Sequence, residues 1–234
     1  MKIIKYISRF FYSLFLLLAS CCDADAQQSI INVHSSEIRP AGEVILKDSN
    51  RFRPFHPKEF ISITPSVTTG IGWNTEIAGS VGTSLTDKTT VKGDFSIKKV
   101  TFIAGSTRFT VGLRINPYLT ETSAPDNFTY AHFSQRIRKT KTSLTAGMYV
   151  SGNKQFLPDR PGVVLGIEQV LIPNKLRFAT DWISRNETYG FLGTGLKYRP
   201  VPTVSITSAA LIPNGNKSNF TFLISISKFL SFKK

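Results

Sequence analysis

The chain has 234 residues and carries 29 Lys and Arg against 15 Asp and Glu, a formal charge of +14 at neutral pH. Charged residues make up only 19% of it, and its two cysteines, Cys21 and Cys22, are adjacent near the N-terminus. A disulfide framework, a thiolate metal site and a cysteine nucleophile are therefore excluded everywhere after residue 22.

The first residues read as an export signal. Lys2, Lys5 and Arg9 precede a short apolar run, Phe10 to Ala19, broken only by Ser13. A basic start followed by about ten apolar residues is a secretory signal, too short to span a bilayer as a helix. Two cleavage sites compete. Ala24-Asp25-Ala26 fits ordinary signal peptidase, giving a signal peptide over 1–26. Leu18-Ala19-Ser20-Cys21 has the form of a lipobox and would leave Cys21 lipidated. The first is preferred, because a protein held in the membrane by its own fold needs no lipid anchor.

Residues 27–42 are irregular and are expected to form a periplasmic arm. Glu43–Lys47 is a short apolar piece, and Arg51 to Lys58 is basic, aromatic and broken by Pro54 and Pro57. From Phe60 the pattern changes to strict alternation. Ile61, Ile63 and Val67 alternate with Ser62, Thr64, Ser66 and Thr68. Arg108, Thr110, Gly112 and Arg114 oppose Phe109, Val111, Leu113 and Ile115, and the last segment sets Phe220, Phe222, Ile224 and Ile226 against Thr221, Leu223, Ser225 and Ser227. Eleven such period-two segments of about ten residues follow one another. That length suits a strand crossing a bilayer at a tilt, and exceeds the usual strand of a soluble sandwich.

Pro161–Tyr198 carries the most informative pattern. If Pro173-Asn174 is a two-residue turn, Ile172 opposes Lys175, Glu168 opposes Ala179 and Gly166 opposes Asp181. One face then holds Val163, Leu165, Ile167, Leu171, Phe178 and Trp182, and the other holds Gly166, Glu168, Arg177 and Asp181. An apolar face backed by acid, base and glycine fits lipid outside and a polar lumen inside. Glu168, Arg177 and Asp181 are expected to form a lumen charge cluster, with Glu168 between the other two. The same parity places Lys92, Arg108, Arg114, Arg136, Arg138 and Lys197 in the lumen, a net-basic lining.

Connections alternate between short and long. Gly70–Asn74, Ala104–Thr107, Lys139–Lys141, Pro173-Asn174 and Pro200–Pro202 are short; Pro117–Asn127 and Gly152–Pro161 are the longest of the others. Short periplasmic turns and longer outer loops mark an up-and-down transmembrane barrel. A chain that starts and ends in the periplasm needs an even number of strands. Glu43–Lys47 supplies the twelfth, with Asp48–Glu59 as the first outer loop; ten strands is the alternative. The expected fold is all-β, an antiparallel up-and-down transmembrane β-barrel over 43–234.

The closing strand, ending Phe229-Leu230-Ser231-Phe232, resembles the last strand of bacterial outer-membrane β-barrel proteins, although Lys233-Lys234 follow the terminal aromatic. The stretch containing Gly166-Ile-Glu-Gln, Asp181-Trp-Ile-Ser, Asn186 and Gly190 is similar to a family of bacterial envelope proteins. The resemblance implies an outer-membrane location, contact with lipid and lipopolysaccharide, and insertion by the barrel-assembly machinery.

Nothing points to a covalent reaction, a cofactor or a metal. His34, His56 and His132 are isolated in sequence, and no phosphate loop or nucleophile elbow occurs. His132 with Ser134 on one face is the sole hint of a base beside a hydroxyl. The positive charge is spread along all strands without a basic helix, which argues against nucleic acid. The expectation is a small porin-like pore for small anionic solutes. A lipid-anchored or periplasmic β-sandwich binding module is the alternative.

Overall fold

The computed structural model describes residues 29–54, 60–85, 89–120, 125–152, 161–185, 190–215 and 220–232. Twelve antiparallel strands pair in sequence order, and the first pairs with the last. They are β1 (Glu43–Phe52), β2 (Ile61–Gly72), β3 (Thr75–Leu85), β4 (Thr90–Ala104), β5 (Thr107–Asn116), β6 (Asp126–Ile137), β7 (Thr142–Gly152), β8 (Gly162–Ile172), β9 (Leu176–Ile183), β10 (Phe191–Val201), β11 (Val204–Pro213) and β12 (Thr221–Ser231). Closure leaves no sheet edge with unpaired backbone groups, as a lipid-embedded sheet requires. One closed sheet also replaces the two-sheet alternative and fixes the strand count at twelve. The signal peptide, Cys21 and the centres of the longer connections lie outside the described residues.

Side-chain parity sorts the chain into two faces. Each of the twelve strands turns out at least one apolar side chain more than a third exposed, from Leu46 on β1 and Val67 on β2 through Leu165 on β8 to Ile224 on β12. An apolar belt of this extent around a whole molecule has no stable place in water; hydrocarbon is its natural solvent. The expected faces of β8 and β9 hold: Val163, Leu165 and Ile167 are exposed outside, while Glu168, Ala179 and Asp181 are buried inside.

Register follows the alternation. Gly166 pairs with Asp181, Glu168 with Ala179 and Val170 with Arg177, as expected. At the turn the pairing slips by one, so that Ile172 meets Leu176 and Lys175 joins the loop. The turn therefore has three residues, with Asn174 at φ 59° and a bulge to absorb the extra one. Left-handed residues also close the β2–β3 turn (Gly72, Trp73, Asn74) and the β4–β5 turn (Gly105). These short turns, Gly42 and Phe232 all gather at one end of the barrel.

Two expectations are corrected. β1 runs on to Phe52, so Asp48–Phe52 belongs to the wall and not to the first outer loop. The apolar alternation stops because Asp48 and Asn50 take outward positions, with Asn50 Nδ2 donating to Asp48 Oδ2 at 3.3 Å. Pairing continues through this stretch to β2 on one side and β12 on the other, because the closing strand must satisfy both neighbours. The second correction concerns the arm: residues 29–39 lie inside the barrel, with Pro40, Ala41 and Gly42 exposed at its rim.

Candidate functional site: the lumen and the segment that enters it

From Gly42, at the short-turn end, the chain leads back into the lumen. Ala41 bridges Gly70, Ser36 meets β5 and β6, and residues 31–33 reach Asp181 on β9. The segment reverses there, with Ile30 N–H donating to Val33 O at 2.8 Å and Ser29 bridging His34. It forms a hairpin-like loop folded against the inner wall.

Its apolar residues supply much of the interior core. Ile30, Ile31 and Val33 are buried among Phe128, Tyr130, Tyr149, Val164, Ile183, Leu211 and Leu223. His34 stacks flat on Tyr130, with ring centroids 4.8 Å apart. Burying three branched aliphatic side chains contributes about 1.5–3 kcal/mol each. The wall makes room by omitting side chains. A Cβ on Gly70 would sit 2.1 Å from Arg39 O, one on Gly166 would sit 2.2 Å from Ile30 Cδ1, and one on Gly193 would sit 2.6 Å from Asp181 Oδ1 and 3.0 Å from Ile31 Cγ2.

Polar groups of the wall satisfy the segment's backbone. Asp181 Oδ2 accepts the N–H groups of Ile31, Asn32 and Val33 at 2.7, 2.5 and 2.7 Å. Three successive amides around one carboxylate oxygen form an anion-binding nest, with the anion supplied by the wall. Glu76 Oε2 accepts from Arg39 N–H at 3.2 Å. Lys98 Nζ donates to the carbonyls of Ser35 and Glu37, and Arg108 donates to that of Ser36. Ser36 Oγ bonds Thr110 at 2.7 Å and Ser134 at 2.8 Å. Few backbone groups of this irregular stretch could be buried without such partners.

The expected lumen residues fall into three groups. Glu168, Arg177 and Asp181 all line the inner wall, and Glu168 stands between the other two by register. Their main partners nevertheless lie elsewhere. Glu168 accepts from Lys197 at 3.0 Å, Arg177 pairs with Glu37 at 3.5 Å, and Asp181 holds the entering segment. Lys92, Arg108, Arg114 and Lys197 take inward parity on β4, β5 and β10. Arg114 pairs with Asp94, and Lys92 donates to Tyr118 Oη at 2.8 Å. Arg136 and Arg138 do not line the lumen wall proper. Both are exposed at the short-turn rim, and Arg138 follows the last residue of β6. Their strand reaches the barrel mouth sooner than its polar alternation suggests.

Sequence reasoning missed the partners contributed by residues 29–42 and the cations of β1. Lys47 and Arg51 take inward positions, flanking the same lumen as Arg114. Neither has an ion-pair or hydrogen-bond partner among the described residues. Extending the β1 alternation past Lys47 is the signal that would have found Arg51. The Ser134–His132 hint becomes a contact of 3.4 Å, too long for a strong bond. Ser134 Oγ is already engaged with Ser36 and Thr145, and both residues are buried beneath the segment. No cluster of three or more metal-ligating side chains occurs among the described residues.

No family model and no curated relative matches the sequence. Solved structures match the fold. A KdgM porin aligns with a TM-score of 0.61 at 7% identity, covering 81% of this chain and 99% of that one. A KdgM porin in complex with disordered oligogalacturonate aligns at 0.60 and 7%, covering 82% and 99%. The Acinetobacter baumannii outer membrane protein Omp33 aligns at 0.50 and 9%, covering 82% and 100%. A closed twelve-stranded sheet with an apolar outside and a charged inside gives this chain the porin-like fold of the bacterial outer-membrane β-barrel proteins.

Proposed function

We propose that the chain is an outer-membrane channel for small anionic solutes, narrowed by its own N-terminal segment. The observation that carries this reading is the charge balance of the lumen. Five acids each hold a cation: Glu43 with Arg39, Glu76 with Lys98, Asp94 with Arg114, Glu37 with Arg177 and Glu168 with Lys197. Lys47 and Arg51 are left over among the described residues, and Lys92 and Arg108 donate to neutral oxygens, against Asp181, an acid that holds backbone amides and no cation. Uncompensated cations inside a low-dielectric wall raise the local concentration of anions and oppose cations. The KdgM porin in complex with disordered oligogalacturonate, a chain of carboxylate-bearing sugars, supports the same class of solute. In this reading the 1–26 signal directs export, the belt contacts lipid and lipopolysaccharide, and the barrel-assembly machinery reads the last strand. The protein acts by diffusion, without a covalent step.

Planar-bilayer recording under a salt gradient tests the proposal. The reversal potential is expected to report chloride preference, and deleting residues 29–39 is expected to raise the conductance. Cation preference, or a segment-deleted barrel that inserts and stays silent, would refute it.

A further inference from the structure

Beside the entering segment, β10, β11, β12 and β1 carry two adjacent cross-strand rows on the lumen face. One row runs Lys197, Thr207, Ser225, Ser49, each paired with the next. The other runs Ser205, Ser227, Lys47. A cavity of about 30 Å³ opens over the two rows, and Ser29, Ile30 and Ile31 close its opposite side. That is room for only a few atoms. Lys47, Ser205, Thr207, Ser225 and Ser227 all line it, and none of the five has a hydrogen-bond or ion-pair partner among the described residues.

Ser225 is 2% exposed, and Lys47, Ser205, Thr207 and Ser227 are half-buried, so what these polar groups meet is the cavity itself, a space suited to a polar occupant. Lys197, also at the cavity, is neutralised by Glu168 and donates to Ser29 O at 2.5 Å. Lys47 has no such counter-charge. Neighbouring strands lie ~4.8 Å apart and alternate residues ~6.8 Å apart, so the four hydroxyls frame a patch of about 5 by 7 Å. Donors so spaced surround a tetrahedral anion, whose oxygens each need a hydrogen bond. A carboxylate offers only two oxygens in one plane, and a neutral sugar brings no charge to Lys47.

From this we infer that the lumen holds a binding site for a free tetrahedral oxyanion, phosphate or sulfate, between Lys47 and the hydroxyls of Ser205, Thr207, Ser225 and Ser227. The inference deepens the anion-channel reading and rests on it for the entry of the ion, but binding and conduction are measured separately.

The test is calorimetric titration of the detergent-purified barrel with inorganic phosphate, and with sulfate as competitor. Saturable binding displaced by sulfate and indifferent to chloride is expected. Lys47→Met removes a charge-assisted bond and should weaken binding at least ~10-fold, whereas Lys47→Arg retains it. Ser225→Ala combined with Ser227→Ala should weaken it similarly. Heat-modifiable gel migration confirms that each variant is a folded barrel. Absence of saturable binding to the wild type, or wild-type affinity in either Lys47→Met or the double serine variant, overturns the site. Anion-selective conductance without phosphate binding also overturns it and leaves the channel reading standing. Phosphate binding by a barrel that does not conduct supports the site and sinks the channel.

Discussion

Replacing Asp181 by alanine should release the segment from the lumen. The carboxylate is 2% exposed, and its Oδ2 is the acceptor for three successive amides of the segment. A hydrogen bond to a charged group contributes about 1.5–3 kcal/mol, but three donors share one oxygen, so their contributions do not add. Stranding three buried N–H groups costs about 3–5 kcal/mol, the range for breaking a buried charged contact. Against this stands a docked state in which each ordered residue costs about 1–2 kcal/mol of backbone entropy, nearly offsetting the burial of Ile30, Ile31 and Val33. The docked-to-released ratio should therefore fall by about 10²- to 10⁴-fold. Asp181→Asn keeps an oxygen acceptor and should lose less. Cysteine is absent after residue 22, so in a chain produced from residue 27 onward Ile38→Cys gives a unique reporter in the segment. Its maleimide labelling rate and the single-channel conductance should both rise in Asp181→Ala. If both stay at their wild-type values in a correctly folded barrel, the carboxylate does not hold the segment and the reasoning fails.

Other changes test other parts of the structure. Gly70→Ala would put a Cβ against two backbone carbonyls of the segment, Arg39 O at 2.1 Å and Pro40 O at 2.4 Å, so it should also raise reporter labelling. Gly166→Ala meets only the end of the Ile30 side chain and should act more weakly in the same assay. Leu165→Arg on the lipid face should destabilise the barrel by up to about 2–4 kcal/mol, read by urea unfolding in lipid vesicles. Arg51→Glu reverses an uncompensated lumen charge and should move the reversal potential toward cation preference with little change in unfolding midpoint.

The fold was legible because a membrane barrel writes its geometry into alternation. A one-residue slip would bury Leu165 and expose Glu168 to lipid, so register is tightly constrained by side chains. That constraint weakens wherever the outward positions are polar. Asp48 and Asn50 broke the pattern on β1, and the strand end was read five residues early. It weakens again at tight turns, where bulge chemistry and not polarity decides the count. Pro173-Asn174 became a three-residue turn without disturbing a single pair from Val164 to Val170.

The site was legible only as a wall. Parity put Glu168, Arg177, Asp181 and Lys197 on one face, but it could not name the partners of Arg177 and Asp181, because those lie more than a hundred residues away and outside any periodic segment. Residues 29–42 look like a solvated arm by composition, with Ser35, Ser36, Glu37 and Arg39 interspersed with Ile30, Ile31, Val33 and Ile38. The same composition suits a lumen that is itself half polar and half aromatic, where Ile30, Ile31 and Val33 meet Phe128 and Tyr149 while Ser36 meets Thr110 and Ser134. The sequence did hold one cue. Gly70, Gly166 and Gly193 all have lumen parity, on three separate strands, and a glycine in a strand interior weakens it unless something approaches closely. Each of the three lies against the inserted segment. Inward glycines on non-adjacent strands, beside a buried acid with no basic neighbour in register, therefore point to backbone entering a barrel. A filled interior built from wall side chains alone would have no use for the gaps.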